Sequence, residues 1–157
     1  VLWKAGAAAA TASVPDAAHA TMDPGLVKEF LAGRDLKATD YLRAFGARAE
    51  LAGAMARFHE RYDLLLTPQM PTPAIEAGRD TPASGEYGSD WINWSPFTYP
   101  FNLTQQPAAS VPCGLTRDGL PIGLQIVGPM RADALVLRAA RAFESARPFA
   151  RIDASRD

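Results

Sequence analysis

The run Trp94-Ser95-Pro96-Phe97-Thr98-Tyr99-Pro100-Phe101-Asn102-Leu103-Thr104-Gln105-Gln106-Pro107-Ala108-Ala109-Ser110-Val111-Pro112-Cys113-Gly114 continues into Gly119-Leu120-Pro121-Ile122-Gly123-Leu124-Gln125-Ile126-Val127-Gly128, and its reading decides the fold. Residues 109–113 and 122–127 have the length and composition of strands. Asp118-Gly119 lies between them and supplies turn chemistry, because glycine takes positive φ at no steric cost. The separation exceeds a two-residue turn, so a hairpin with a longer loop is expected. Pro112 has no N–H to give a ladder, which places it at a strand end or on an edge. Gly128-Pro129 ends the second strand.

Downstream, a final helix is expected over about 132–147, with Leu135, Ala139, Ala142 and Phe143 on one face and Pro148 as its stop. Upstream, residues 68–100 are rich in Pro, Gly, Ser and Thr and have no period of their own. Ordered loops of that length in compact domains tend to be functional. Before it, Leu64-Leu65-Leu66-Thr67 reads as a short, fully buried strand ended by Pro68. Two helices precede that strand. Asp23-Pro24 gives one a start, Leu26, Val27, Phe30 and Leu31 follow at helical spacing, and Gly33 reads as its stop. The other spans about 38–62, where Tyr41, Leu42, Phe45, Ala49, Ala52, Met55 and Phe58 form one apolar stripe expected to pack into a core.

The chain has 157 residues, 48% of them apolar and 21% charged, with a net charge of −1. That length fits one domain, and a complete domain of this size buries roughly 68–70% of its extended-chain surface. There is no basic block, so a nucleic-acid partner is not expected. No apolar stretch approaches the length needed to span a bilayer, so a membrane partner is not expected either. The single cysteine, Cys113, precludes an intramolecular disulfide and fits a reducing compartment, with the cytoplasm as the expected location. The Ala-rich opening lacks the basic start and strongly apolar region of a signal peptide, and a first residue of Val1 points to an excised or truncated chain.

Nucleophilic catalysis needs a Ser, Cys or Thr beside a base and an oxyanion hole. Ser110 stands in a strand with no Gly-rich elbow, which marks it as structural. Cys113 has no histidine near it in sequence and reads as a buried, inert thiol. His19 and His59 each lack a second ligand at metal-binding spacing, so no metal site is expected. The glycines at 114, 119, 123 and 128 match no phosphate-loop pattern. The rings of Trp91, Trp94, Phe97, Tyr99 and Phe101, with Asn102 beside them, either line an amide-binding pocket or pin the long loop to the core. The residues alone leave both readings open.

Taken together, the order and spacing of these segments resemble the carboxyl-terminal signature of the amidase-signature family of amide hydrolases. Residues 97–128 carry the most specific part of the likeness. Asp23 to Gly33, Asp40-Tyr41-Leu42-Arg43-Ala44 and Tyr62-Asp63-Leu64-Leu65-Leu66-Thr67-Pro68 look like the stretch that leads into the family's last strands. The resemblance implies an α/β fold: the carboxyl-terminal part of an α/β/α architecture with a mixed sheet, helices flanking a few strands. It divides the single segment 1–157 into a helical lead-in and first strand (1–67), a long pocket loop (68–101), and a hairpin with a final helix (102–157). Trp91, Trp94, Ser95, Phe97 and Asn102 become candidates for the substrate-pocket wall.

The family's chemistry uses a Ser–cis-Ser–Lys triad, in which one serine attacks the amide carbon, the bridging serine relays the proton and the lysine is the final base. Lys4, Lys28 and Lys37 lie in contexts unlike the catalytic one, and no serine here sits in a Gly-Ser-Ser-Gly-Gly-like setting. No catalytic residue is therefore assigned, no cofactor is implied, and the chain alone is expected to be inactive. The implied partner is a small amide substrate of the full-length parent, with self-association through exposed apolar surface a further expectation. Family members that act as A subunits of glutamyl- or aspartyl-tRNA amidotransferases typically hold an aspartate where Ser95 stands, to engage the substrate's α-amino group. Ser95, with Trp91 and Trp94 close by, favours a neutral or aromatic amide and a general amidase. The alternatives are a non-catalytic binding module derived from an amidase, and an amidotransferase A subunit. Gln105 replaces a glycine usual for the family, which makes the backbone there a point of interest.

Overall fold

The structure is a computed structural model; it describes residues 1–88 and 92–149 in full and the backbone of Trp91. Its elements are α1 (Leu2–Ala10), α2 (Pro24–Arg34), α3 (Ala38–His59), β1 (Leu65–Pro68), α4 (Tyr99–Thr104), β2 (Ala108–Leu115), β3 (Pro121–Val127) and α5 (Asp133–Ala146), with 3-10 turns at Asp16–Thr21 and Trp91–Trp94. Two compact units divide within α3, Val1–Leu51 and Ala52–Asp157.

In the first unit α1 and α2 pack together. Asp23 starts α2 as the sequence indicates: its Oδ1 accepts from the Leu26 amide at 2.9 Å, with Pro24 at the first helical position. Gly33 is a correction. It does not stop the helix but lies inside it and is buried, because a Cβ there would sit 2.0 Å from the Lys4 carbonyl oxygen. Its smallness lets the two helix backbones meet. The buried face of α2 is Glu29, Phe30 and Gly33, with Glu29 paired to Lys4 at 3.7 Å, whereas Leu31 is exposed. The His19 ring meets Phe30 edge-on at 4.8 Å.

The apolar stripe of α3 is not core among the described residues. No residue of that helix is buried, and Tyr41, Leu42 and Phe45 are 43%, 66% and 49% exposed. Helical periodicity marks a face that can bury against a partner, but supplies no partner.

The second unit is built on a three-stranded sheet in the order β1-β3-β2, with both pairings antiparallel. The expected hairpin is present as β2 and β3. Thr116 and Leu120 close its loop backbone to backbone at 2.8 Å, and Gly119 takes a φ of 82°. β1 is an edge strand whose residues alternate between half-buried and exposed, which corrects the fully buried reading of 64–67. An edge strand over a helix-packed sheet buries one side only. Pro112 does lie on an edge strand, and the register slips by one residue between Pro112 and Gly114. Cys113 is the extra residue of that bulge, so it is exposed rather than buried, its Sγ directed to the Ile122 carbonyl at 3.5 Å.

α5 covers one face of the sheet. Val136 and Ala140 bury against Val111 and Ile126, with Leu64, Ala109, Leu124, Ala139 and Phe143 around them. The buried centre of the helix is one position off the stripe read from sequence, and Ala142 is exposed. Strand alternation puts Gly123, Gln125 and Val127 on the other face, and Gln125 and Val127 are both buried. That face positions the site.

Candidate functional site

Gln125 lies at the middle of β3, 3% exposed, opposite Thr67 on one side and Ser110 on the other. Its Nε2 donates to Thr67 Oγ1 at 2.9 Å and to the Phe97 carbonyl at 2.6 Å. A carbonyl only accepts, so the second contact fixes which end of the side chain is nitrogen. Gly123, two residues earlier, admits close neighbours: a Cβ there would lie 2.9 Å from Ser110 Oγ and 3.0 Å from Gln69 Cβ. The Gln69 amide donates to the Gly123 carbonyl at 2.9 Å.

Of the pocket-wall candidates, Trp94, Ser95 and Phe97 belong to the segment that Gln125 holds. The indole N–H of Trp94 donates to the Asp80 carbonyl at 2.9 Å, folding the long loop on itself. Ser95 Oγ donates to the Ile92 carbonyl at 3.1 Å, and both the amide and the hydroxyl of Thr98 donate to the Ser95 carbonyl. The side chain of Trp91 lies outside the described residues. Asn102 is not in the loop. Residues 99–104 form α4, where Asn102 is exposed and makes no side-chain hydrogen bond among the described residues, leaving its donor and acceptor open to solvent.

α4 ends in a tight polar knot. Gln105 takes a left-handed backbone, φ 59° and ψ 31°, as the residue after the helix. This is the position where the family resemblance places glycine, the residue that enters the left-handed region at no steric cost. Thr104 Oγ1 donates to Gln106 Oε1 at 2.8 Å, and Gln106 Nε2 donates to the Gly128 carbonyl at 2.9 Å. Beside the knot is an open cleft of about 240 Å³ lined by Met55, Ala56, His59, Thr104, Gln106 and Met130 among others. His59 Nδ1 donates to the Tyr62 carbonyl at 2.9 Å, while its Nε2 is shielded from water with no partner among the described residues. Of the pocket-wall candidates with described side chains, none lines this cleft.

The described residues hold no nucleophile–base pair with triad geometry. Ser110 packs over Gly123, and Lys4 is engaged by Glu29. No group of three or more His, Cys, Asp or Glu side chains among them is placed to hold a metal ion. Gln125, Thr67, Thr104 and Gln106 are not singled out by the sequence reading. Gln125 does carry a signal: a polar amide inside an apolar strand must find partners when buried.

The sequence pattern of the Amidase family matches residues 14–137. The chain is 36% identical over 135 residues to an acylamidase of Rhodococcus erythropolis, covering 82% of this chain and 28% of that protein. It is 40% identical over 111 residues to the A subunit of a glutamyl-tRNA(Gln) amidotransferase from Thermosynechococcus vestitus, covering 69% and 22%. Its fold is similar to that of a bacterial aryl acylamidase belonging to the amidase signature enzymes, with a TM-score of 0.71 and 33% identity over 83% of this chain and 28% of that one. The chain thus spans between a fifth and a third of the length of these relatives.

Proposed function

This chain belongs to the amidase family, and from that premise we propose that it supplies sheet and one wall of the substrate pocket to an amide hydrolase whose nucleophile lies outside these residues. In that reaction a serine oxygen attacks the carboxamide carbon, the C–N bond breaks as the nitrogen takes a proton, and ammonia or an amine leaves. Water then cleaves the acyl-serine ester to the free acid and restores the serine. The reaction as written needs no cofactor, and we place it in the cytoplasm.

The observation that carries the reading is the segment 94–98. It is tied to the sheet face through Gln125 and presents Ser95 where an amidotransferase A subunit would carry a carboxylate. A hydroxyl spent on the Ile92 carbonyl offers no countercharge to an α-ammonium group, so a neutral or aromatic amide fits better. The likeness to two acylamidases supports this choice. The second reading, an amidotransferase A subunit, draws support from the 40% identity to the Thermosynechococcus vestitus protein.

The test is to offer the purified 157-residue chain aliphatic and aryl amides while following ammonia and amine release, and to challenge it with a fluorophosphonate. The expected result is no turnover and no label, since no serine among the described residues is paired with a base. Turnover that the reagent abolishes would overturn the proposal.

A further inference from the structure

At its far end, among the described residues, the long loop meets the sheet through one side-chain contact, and its donor is a buried residue of the central strand. Trp94 and Asn93 bond to the Asp80 and Tyr87 carbonyls, both within the loop itself. Ser95 and Thr98 bond to the turn they belong to. Among the described residues, the contact between Gln125 Nε2 and the Phe97 carbonyl is the one hydrogen bond between residues 91–98 and a strand. The same nitrogen donates its other proton to Thr67 on β1. A primary amide has two N–H groups held in one plane, and both are used here. One side chain therefore fixes the loop relative to two strands at once.

We propose that Gln125 is a positioning residue that sets where residues 94–98 stand against the sheet, and so sets the pocket wall; the second clause rests on the amide-hydrolase reading above. Gln125 touches no substrate in this role. It acts through the Phe97 carbonyl, one residue from Pro96 and two from Ser95. The buried strand face makes the contact costly to lose: without it the Phe97 carbonyl has no donor from the sheet, and residues 92–98 keep, among the described residues, only bonds within the loop.

The experiment is amide hydrogen exchange on the 157-residue chain, comparing the Thr98 amide, which donates to Ser95, with the ladder amides of β2 and β3. In Gln125→Met, which keeps length and apolar volume but has no donor, the Thr98 amide should exchange roughly tenfold faster while the ladder amides do not change. In Gln125→Glu the ionised carboxylate repels the Phe97 carbonyl. Acidification gives that carboxyl one O–H donor, so protection of Thr98 should return at low pH in this variant alone. An unchanged Thr98 amide, parallel acceleration of loop and ladder, or absence of the acid rescue would each overturn the proposal.

The unmodified chain gives a reading that does not depend on any variant folding. Both side-chain amide protons of Gln125 should be protected and show cross-relaxation to Phe97 and Thr67. Exchange as fast as that of a solvent-exposed glutamine would refute the assignment. None of these measurements uses a substrate, so failure of the hydrolase reading appears in turnover and not here.

Discussion

Gln106 reaches across to Gly128 and donates its side-chain amide to that carbonyl at 2.9 Å, while the Gly128 amide returns a bond to the Pro107 carbonyl at 3.0 Å. The exit of α4 is thereby laced to the end of β3. The Gln106 oxygen also takes the hydroxyl proton of Thr104, which is 2% exposed. Replacing Gln106 by Leu takes this donor from the Gly128 carbonyl, while the Thr104 hydroxyl keeps the Phe101 carbonyl as an acceptor at 3.3 Å. A buried polar group left unpaired costs about 1–3 kcal/mol, so Gln106→Leu should lower the urea midpoint by that equivalent.

Gln105 sits at φ 59°. A side chain in the left-handed region costs roughly 1–2 kcal/mol, and glycine gives back about 0.5–1 kcal/mol of this through its greater freedom when unfolded. Gln105→Gly should therefore stabilise the chain by about 0.5–1 kcal/mol. Gln105→Val should destabilise it, since a β-branched residue tolerates that region least. Paired denaturation curves check both signs.

Gly33 and the Lys4 carbonyl make the opposite case. The atom that would meet an added Cβ at 2.0 Å is backbone, and it cannot swing aside as a long side chain can. Gly33→Ala should cost at least the roughly 1–3 kcal/mol typical of overpacking, because the helices must separate, despite the better helix propensity of alanine. Urea unfolding of the variant reads this directly. Stability equal to the parent would mean that α1 and α2 do not meet as described.

On α5, neighbours in sequence should behave differently. Val136 is 2% exposed in the sheet-facing cluster, and Leu137 beside it is 64% exposed. Val136→Ala should cost about 2 kcal/mol, and Leu137→Ala should stay within about 0.5 kcal/mol despite removing the larger side chain. Thermal melts of the two variants decide the point.

Cys113, lifted out by the bulge, should react in the folded chain. One equivalent of thiol should titrate with a disulfide reagent without denaturant. A thiol that appears only on unfolding would restore the buried reading that sequence alone favours.

Much of the frame is legible in sequence where the chemistry is local. Asp23-Pro24 starts a helix because a carboxylate and a missing N–H suit its first turn, and Asp118-Gly119 sits in the hairpin loop because glycine takes the φ that loop needs. What depends on a partner elsewhere is not legible. Gly33 is a contact with Lys4 and not a stop, and nothing within α2 distinguishes the two. The stripe of Leu42 and Phe45 has helical spacing whether or not anything covers it. β1 looks fully buried because three leucines run together, but its place at the sheet edge is decided by pairing. α4 escapes a sequence reading although Pro100 in its first turn is a start signal, since the aromatic and proline content around it reads as loop. In the candidate site, the residues at 94, 95 and 97 are marked by likeness, whereas Gln125, which holds them, shows its role only once Thr67 and Phe97 are seen on either side of it.

The most direct test of the central claim, that these residues furnish part of an amide hydrolase and not its nucleophile, is to read the coding DNA upstream of the Val1 codon. The account predicts an in-frame extension encoding a lysine and a Gly/Ser-rich serine stretch, and predicts that the extended protein releases ammonia or amine from amides. A stop codon or unrelated sequence immediately upstream would contradict it and leave a binding module of amidase ancestry.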